Sequence, residues 1–534
     1  MRSSLIRLVC CFILALQIVS CSVDHRDTGS AQVTAPVEEH EGEWTILYYG
    51  AGNHSLDMLP GGLSQTMETI HGLQDVFRTD AVHVVGLAGT ELDNGQCRFY
   101  DIRFRPGEAG NRVSSSASDW GRQDMSSPQL LKQFVDTATV MFPARHYALI
   151  IGGQGGAWRG ACRDDGHGGR VMSMPAIYQS LDASTNHTGL PVHFDVLLWL
   201  TPGMGTMEVA YEMRGKADYM VATSSSLAQP GFLASGRWLL DLASDPDMSG
   251  ERLGRFMVAR MAEQAQSAHD TLATFNLLDL RQTESLARQF SILADSLRPA
   301  VEGNSAQILQ IWQSLWDLRT GDSAAIDLPA FVETLRTDSS FNSRDGIRQA
   351  ADHVHDALDQ MLIDRRSTRT GNLRRGLTIY SPMVLLPPDL ESYHALQMST
   401  DQPGWASLLA AMQESGTALV RASGSIRWTG HTVQDVYLFL NTAQVGVPEI
   451  SLVAPAGIRG TVTPDHVLYE STLALNGDSV SAYLGVFQDL DHNQQLSSGD
   501  RFGYYHVQTG SRDWITLHGG DRLDSLDVDL TRTY

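Results

Sequence analysis

The chain has 534 residues, too many for one hydrophobic core, so two or more domains are expected. With 42% hydrophobic and 19% charged residues it has the composition of an ordinary globular protein. A formal net charge of −22 excludes the basic footprint that a nucleic-acid backbone or an anionic lipid surface attracts.

The N-terminus reads as a processing signal. Arg2 and Arg7 form a basic start, and residues 8–19 are an apolar run too short to span a bilayer. The run ends in Ile18-Val19-Ser20-Cys21, which resembles the bacterial lipobox, where the Cys is diacylated on sulfur and becomes the new N-terminus. An ordinary signal peptide cut nearby is the alternative, but Cys standing in place of a small residue favours the lipobox. Ser22, not Asp, follows, and in a Gram-negative cell that resembles the outer-membrane sorting pattern. Residues 1–20 are thus expected to be removed, with Cys21 lipid-anchored in the cell envelope, at the outer membrane. Two arginines leave with the signal, and the mature charge becomes −24. Residues 21–43 are polar and poor in aromatics, which reads as a flexible tether.

Of five cysteines, Cys10 and Cys11 leave with the signal and Cys21 carries lipid. Cys97 and Cys162 remain in a disulfide-permissive compartment and are a candidate bridge, although sequence does not fix their separation.

From residue 44 apolar runs alternate with helical periodicity. Strands are expected at 44–49 (WTILYY), 81–87 (AVHVVGL), 147–151, 194–200 (FDVLLWL) and 218–222, with an edge hairpin in 94–104. Helices are expected at 56–77, 128–139 behind Ser127 as N-cap, 174–180 and 207–214. This alternation predicts an α/β fold with a mostly parallel sheet and helices on both faces. Residues 250–365 read as mainly helical, with apolar stripes at 253–267, 282–297 and 308–318. Residues 376–380 return to strand and 405–412 form a closing helix. Beyond about 420 come short strands separated by turn residues, which predicts an all-β, sandwich-like domain. The expected domains are 44–415, with a helical insertion at about 250–370, and 420–534.

Two stretches organise the first of these domains: 148–158, ALIIGGQGGAW, and 194–211, FDVLLWLTPGMGTMEVAY. Each is an apolar run ending in small residues, which is how a buried parallel strand delivers a loop to the C-terminal edge of a sheet. Trp158 and Trp199 flank the loops, either walling a groove or packed in the core.

The order of these pieces resembles the clostripain family of cysteine peptidases, relatives of caspases with an α/β/α sandwich. WTILYYGAGNHSLD (44–57) resembles the family's first strand and loop, and ALIIGGQGGAW the strand with the His-Gly-Gly motif. FDVLLWLTPGMGTMEVAYEMRGKADYMVATSSS (194–226) resembles the stretch from Asp-Ala-Cys-Leu-Met-Gly to Glu-Val-Ala-Tyr-Glu, and GLTIYSP (376–382) the late strand ending Tyr-Phe-Pro. The resemblance places the catalytic His at Gln154, the nucleophilic Cys at Pro202, the Asp two residues before it at Leu200, and the acidic specificity residue near Pro230.

The substitutions matter chemically. A cysteine peptidase needs a thiolate and an imidazole that activates it and protonates the leaving amine. Gln154 does not titrate near neutral pH, and Pro202 has neither a nucleophile nor a backbone N–H. The reading that follows is an inactive, pseudopeptidase lipoprotein of the envelope that binds a peptide or protein. Two alternatives are an active cysteine endopeptidase with a relocated nucleophile, Cys162 served by His167, and a structural or adhesive surface lipoprotein.

In the β-rich part, residues 489–500 have the spacing of a calcium loop. Asp489, Asp491, Asn493, Ser497 and Asp500 fall at positions 1, 3, 5, 9 and 12, and Gln495 can add its carbonyl. Gln494 at the usual Gly position, and Asp in place of Glu at the last, depart from the pattern. The expected cofactor is Ca²⁺, rigidifying that domain; a metal-free Asp/Asn hairpin turn is the alternative. The glycines of GGQGG do not make a phosphate cradle, since no Lys-Ser/Thr follows, and no organic cofactor is expected.

Overall fold

The computed structural model describes residues 42–59, 62–74, 79, 81–103, 114–224, 236–270, 273–315, 325–337, 345–368, 376–382, 387–414, 419–428, 436–441, 450–455, 457–459, 466–474, 479–488, 490, 500–505, 514–518, 521–530 and 532–533. Its centre is a nine-stranded sheet. The strands are β1 (Gly42–Gly52), β2 (Val82–Thr90), β3 (Gln96–Arg103), β4 (Ser114–Arg122), β5 (Ala144–Gly153), β6 (Phe194–Leu200), β7 (Ala217–Thr223), β8 (Thr274–Asp279) and β9 (Leu362–Ser367). Their order across the sheet is β9-β8-β7-β6-β5-β1-β2-β3-β4. Strands β7, β6, β5, β1 and β2 run parallel. The strands outside them, β8 and β9 on one side and β3 and β4 on the other, pair antiparallel.

Successive residues of the central strands point to opposite faces, so an unbroken apolar run serves two cores at once. Leu47, Tyr49, Leu149, Ile151, Leu197 and Trp199 pack on one face. Ile46, Tyr48, Ala148, Ile150, Val196 and Leu198 pack on the other. The first face is covered by helices α2 (Pro128–Met141), α3 (Met174–Asp182) and α4 (Met207–Met213). Helices α1 (Gln65–Gln74), α5 (Arg237–Ser244) and α6 (Gly250–Ser267) cover the second. The α/β architecture expected from the alternating pattern is the one observed.

Residues 250–365 are not simply helical. TFNLLD of β8 is six residues buried throughout, too short for periodicity to separate strand from buried helix, and it extends the main sheet together with the polar edge strand β9. The two helices expected at 282–297 and 308–318 are one, α7 (Thr283–Ser314), with Pro299 inside it. Helices α8 (Leu328–Thr337) and α9 (Asp345–Met361) follow. The late strand Thr378–Tyr380 does not rejoin the main sheet but pairs with Ala325–Asp327. Helices α10 (Pro387–His394), α11 (Gln397–Asp401) and α12 (Gly404–Glu414) complete this part.

The C-terminal strands form two further sheets. One contains Leu419–Arg427 and His466–Ala474. The other contains Val436–Asn441, Ile450–Pro455, Ser479–Gln488, Arg501–Tyr504 and Trp514–His518. Val420, Ala422 and Ile426 of the first share one core with Leu438, Leu440, Leu484 and Val486 of the second. Two sheets closing on a common apolar layer is the sandwich arrangement. Tyr437, Phe439, Phe487 and Phe502 form a separate aromatic cluster.

Candidate functional site

Strands β5 and β6 are parallel neighbours, in register from Val196 opposite Ala148 to Leu200 opposite Gly152. Both then turn out at the same edge, so Gln154 and Pro202, each two residues beyond that last pair, leave the sheet side by side. Both are half-buried. Strand β1 flanks β5 on the other side, with Ala51 opposite Gly153.

Glycine lets the loops meet. A Cβ on Gly155 would lie 2.4 Å from Thr201 Cγ2, 2.9 Å from Met204 Sδ and 3.3 Å from the Pro202 carbonyl. Gly153 has φ +138° and a Cβ there would meet the Ala51 carbonyl at 2.7 Å. Thr201 Oγ1 donates to the Ile151 carbonyl at 3.2 Å, and Gly205 N–H to the Thr223 carbonyl at 2.8 Å. The two loops are therefore packed against each other and fastened to the strand ends. Trp158 and Trp199 are core side chains, 3% and 0% exposed, and wall no open groove.

The pair Gln154 and Pro202 brings no nucleophile and no proton carrier. The alternative nucleophile is Cys162. It lies on the short strand Ala161–Asp164 with its side chain fully buried, and burial pushes the thiol pKa up to about 12. Such a thiol stays protonated at neutral pH, whereas the attacking species is the thiolate. His167 turns elsewhere, with Nδ1 3.1 Å from Asp164 Oδ1. The Cys162/His167 dyad considered from sequence is not assembled. The Cys97–Cys162 bridge is not formed either, and both thiols are free and buried. Cys97 Sγ lies 3.3 Å from Met125 Sδ and faces the Gly95 carbonyl, and burial likewise pushes it up to about 12.

Several polar groups at this edge escaped the sequence reading. Asn53, just past β1, donates through Nδ2 to Asp164 Oδ1 at 2.6 Å, and its carbonyl accepts from Asp165 N–H at 2.8 Å. His54 beside it is 3% exposed, and neither ring nitrogen makes a well-aligned hydrogen bond, although the Ala51 carbonyl lies beside the ring. Burial lowers its pKa, against the pull of the Asp57 and Asp165 carboxylates. Asp57 is itself buried and accepts from Ser64 Oγ, Thr66 N–H and Thr66 Oγ1 at the start of α1. The signal for His54 was its place directly after the small-residue turn of the first strand.

Helix α4 carries two more. Glu208 and Glu212 are fully buried one turn apart. Glu208 Oε1 accepts from Tyr380 N–H and Tyr393 Oη, both at 2.8 Å, and Glu212 Oε1 accepts from Met398 N–H at 3.2 Å. Burial raises both carboxyl pKa values. These glutamates fasten the chain after residue 376 to the helix that follows the Pro202 loop. Two charged residues four apart inside an otherwise apolar helix were the available signal.

Asp124, Asp164 and His167 bring three metal-ligating atoms within 4.8 Å of one another. Of the expected calcium loop, Asp489, Asp491, Asn493, Gln495 and Ser497 lie outside the described residues, as do Cys21 and Pro230. Asp500 is described: it is buried and its Oδ1 accepts from Leu490 N–H at 2.8 Å.

The family model described as "Clostripain family" matches residues 112–398, more than half of the chain. The chain belongs to the clostripain family. It is similar to clostripain of Hathewaya histolytica, 23% identical over 449 residues, covering 72% of this chain and 83% of that protein. Among solved structures, it is similar to an inactive zymogen C11 protease from Parabacteroides distasonis (TM-score 0.53, 18% identity, covering 68% of this chain and 98% of the other). It is also similar to a secreted C11 cysteine protease from Bacteroides thetaiotaomicron in complex with an irreversible peptide inhibitor (TM-score 0.51, 16% identity, 67% and 98%). At these identities the structural likeness establishes the shared fold, and the family to which the chain belongs is one of cysteine peptidases.

Proposed function

We propose that this clostripain-family chain has lost peptidase chemistry and acts by binding a peptide or protein at the cell envelope. The observation that carries the reading is the β5–β6 register, which brings Gln154 and Pro202 out at one edge of the sheet. The motif resemblance assigns those two positions to the catalytic His and Cys. A glutamine and a proline there leave no group able to attack a carbonyl or to shuttle a proton. The buried thiol of Cys162 supports the same reading.

The setting follows from the N-terminal sequence: acylation of Cys21 holds the chain on the outer membrane, with 21–43 as the tether. The similarity to a protease described as secreted agrees with an exported protein. In the C-terminal part, residues 489–500 bind Ca²⁺ and stiffen the strands on either side.

The positional claim is tested by putting the lost pair back. Pro202→Cys is introduced alone and together with Gln154→His, and the rate of thiol alkylation is measured against pH. If the two positions face each other, His at 154 stabilises the thiolate and moves the alkylation profile to lower pH. Identical profiles in the two backgrounds would show that 154 and 202 are not the dyad positions.

A further inference from the structure

Beside the Gln154 loop a second constellation is built from three separate pieces of chain. Asp124 comes from the turn before α2, and Asp164 from the end of the strand Ala161–Asp164. His167 comes from the 3₁₀ turn Asp165–His167, which is folded back through Gly168 and Gly169, both at positive φ. The ligand atoms of the three lie within 4.8 Å of one another.

Two features set this group apart from a solvated acidic patch. Asp164 is 0% exposed, and the donors on its oxygens are neutral: Asn53 Nδ2 at 2.6 Å on Oδ1 and Met125 N–H at 2.8 Å on Oδ2. The other is His167 Nδ1, which is shut off from solvent and makes no hydrogen bond of proper geometry, although it points at Asp164 Oδ1 from 3.1 Å. A carboxylate out of water beside a second one requires a cation or a proton. The Arg170 guanidinium, 66% exposed, sits on Asp124 Oδ2 at 2.8 Å, outside the buried carboxylate. Asp124 Oδ1 is held in turn by Ser126 N–H and Oγ.

We propose that Asp124, Asp164 and His167 form a binding site for one divalent cation of the zinc class. Imidazole nitrogen with carboxylate oxygen is a donor set zinc accepts, at bond lengths of about 2.0–2.2 Å, which put tetrahedral ligands roughly 3.4 Å apart. The observed cluster closes to that spacing by a small side-chain adjustment, and water fills the fourth position. The hydrogen bonds from Asn53, Met125 and Ser126 serve as the outer shell that orients ligating carboxylates. The cation pins the hairpin of Ala161–Asp164 and Arg170–Met172 to the turn before α2, and through Asn53 to the exit of β1. Its role here is to fix the loops around the Gln154–Pro202 edge, and it stands independently of whether that edge is silent.

The test is calorimetric titration of ZnCl₂ into the tag-free mature chain, stripped with a chelator, alongside Asp124→Asn, His167→Gln and Ser126→Ala. The site predicts one equivalent of Zn²⁺. Ser126→Ala, which removes only an outer-shell bond, weakens binding by about 10-fold, and each ligand variant by at least the 100-fold upper range of outer-shell losses. X-ray absorption of the loaded wild-type chain reads nitrogen and oxygen ligands without sulfur, which covers the case of a variant that fails to fold. No Zn²⁺ uptake, uptake unchanged in either ligand variant, or a sulfur ligand in the spectrum overturns the proposal.

Discussion

Leu200 faces Gly152 across the parallel β5–β6 ladder, and this pairing sets what the edge of the sheet presents. Two residues later the chains carry Pro202 and Gln154, and Gly155 lies against Thr201 and Met204. The loops are held against each other at the sheet edge, and neither Gln154 nor Pro202 carries a nucleophile or a proton-transferring group.

That packing predicts a sharp size limit at Gly155. Gly155→Ala places a methyl group 2.4 Å from Thr201 Cγ2, and the loops must separate to accept it. Overpacking of this kind costs about 1–3 kcal/mol. Gly156→Ala is the control, because its nearest neighbour, Arg159 Cβ, is at 3.5 Å and the change should stay within about 0.5 kcal/mol. Urea denaturation of the two variants checks the difference; equal midpoints would mean the loops are not in contact.

Both thiols of the folded part should be inert. Cys97 and Cys162 are buried with pKa values pushed up to about 12, so a chromogenic disulfide reagent at pH 8 should find neither in the native Cys21→Ser chain. In denaturant both should react at once. If neither reacts even then, the two are bridged, and the free-thiol description fails.

Glu208 makes stability depend on pH in a defined direction. Burial raises its folded-state pKa above the ordinary glutamate value, so the folded chain favours the protonated form. The associated stability is fully present below the unfolded pKa, about 4.3, and is lost as pH rises through the folded one. Glu208→Gln removes this titration while keeping an acceptor for Tyr380 N–H and Tyr393 Oη. Its stability relative to wild type should therefore improve with rising pH. Glu208→Ala leaves both donors unpaired and should cost about 1–3 kcal/mol for each. Denaturation midpoints at pH 5 and pH 8 distinguish the variants; parallel shifts at both pH values would contradict the linkage.

The proposed lipid anchor rests on one residue, Cys21. Cys21→Ser should abolish incorporation of radiolabelled palmitate and move the protein from the membrane fraction to the soluble fraction. Labelling that survives the change would remove the lipobox reading.

Much of the α/β architecture was legible because buried parallel strands advertise themselves as apolar runs between helical periods. TILYY, ALII and VLLWL each supply residues to both faces of the sheet, and no other placement buries both sets. Strand β8 was missed because TFNLLD, six buried residues within a helical region, is too short for its period to be read, and β9 because LIDRRS is a polar edge. The single helix α7 was read as two because its stripe weakens around Pro299. At the edge, the common exit of the loops carrying Gln154 and Pro202 was legible, because each follows an apolar strand that ends in small residues. The partners of Asp164 were not, since Asn53, Met125 and His167 come from three loops whose meeting depends on the sheet order. The burial of Cys162 was likewise invisible, because a cysteine among Gly, Arg and Asp looks like surface loop.

The proposed loss of thiol peptidase chemistry is tested by peptide turnover by the purified mature chain, with and without Ca²⁺, alongside Cys162→Ala. A chain without a working nucleophile gives no turnover above a heat-denatured control and no covalent adduct with a peptidyl thiol-reactive probe in the intact mass. Turnover or an adduct that disappears in Cys162→Ala would contradict it.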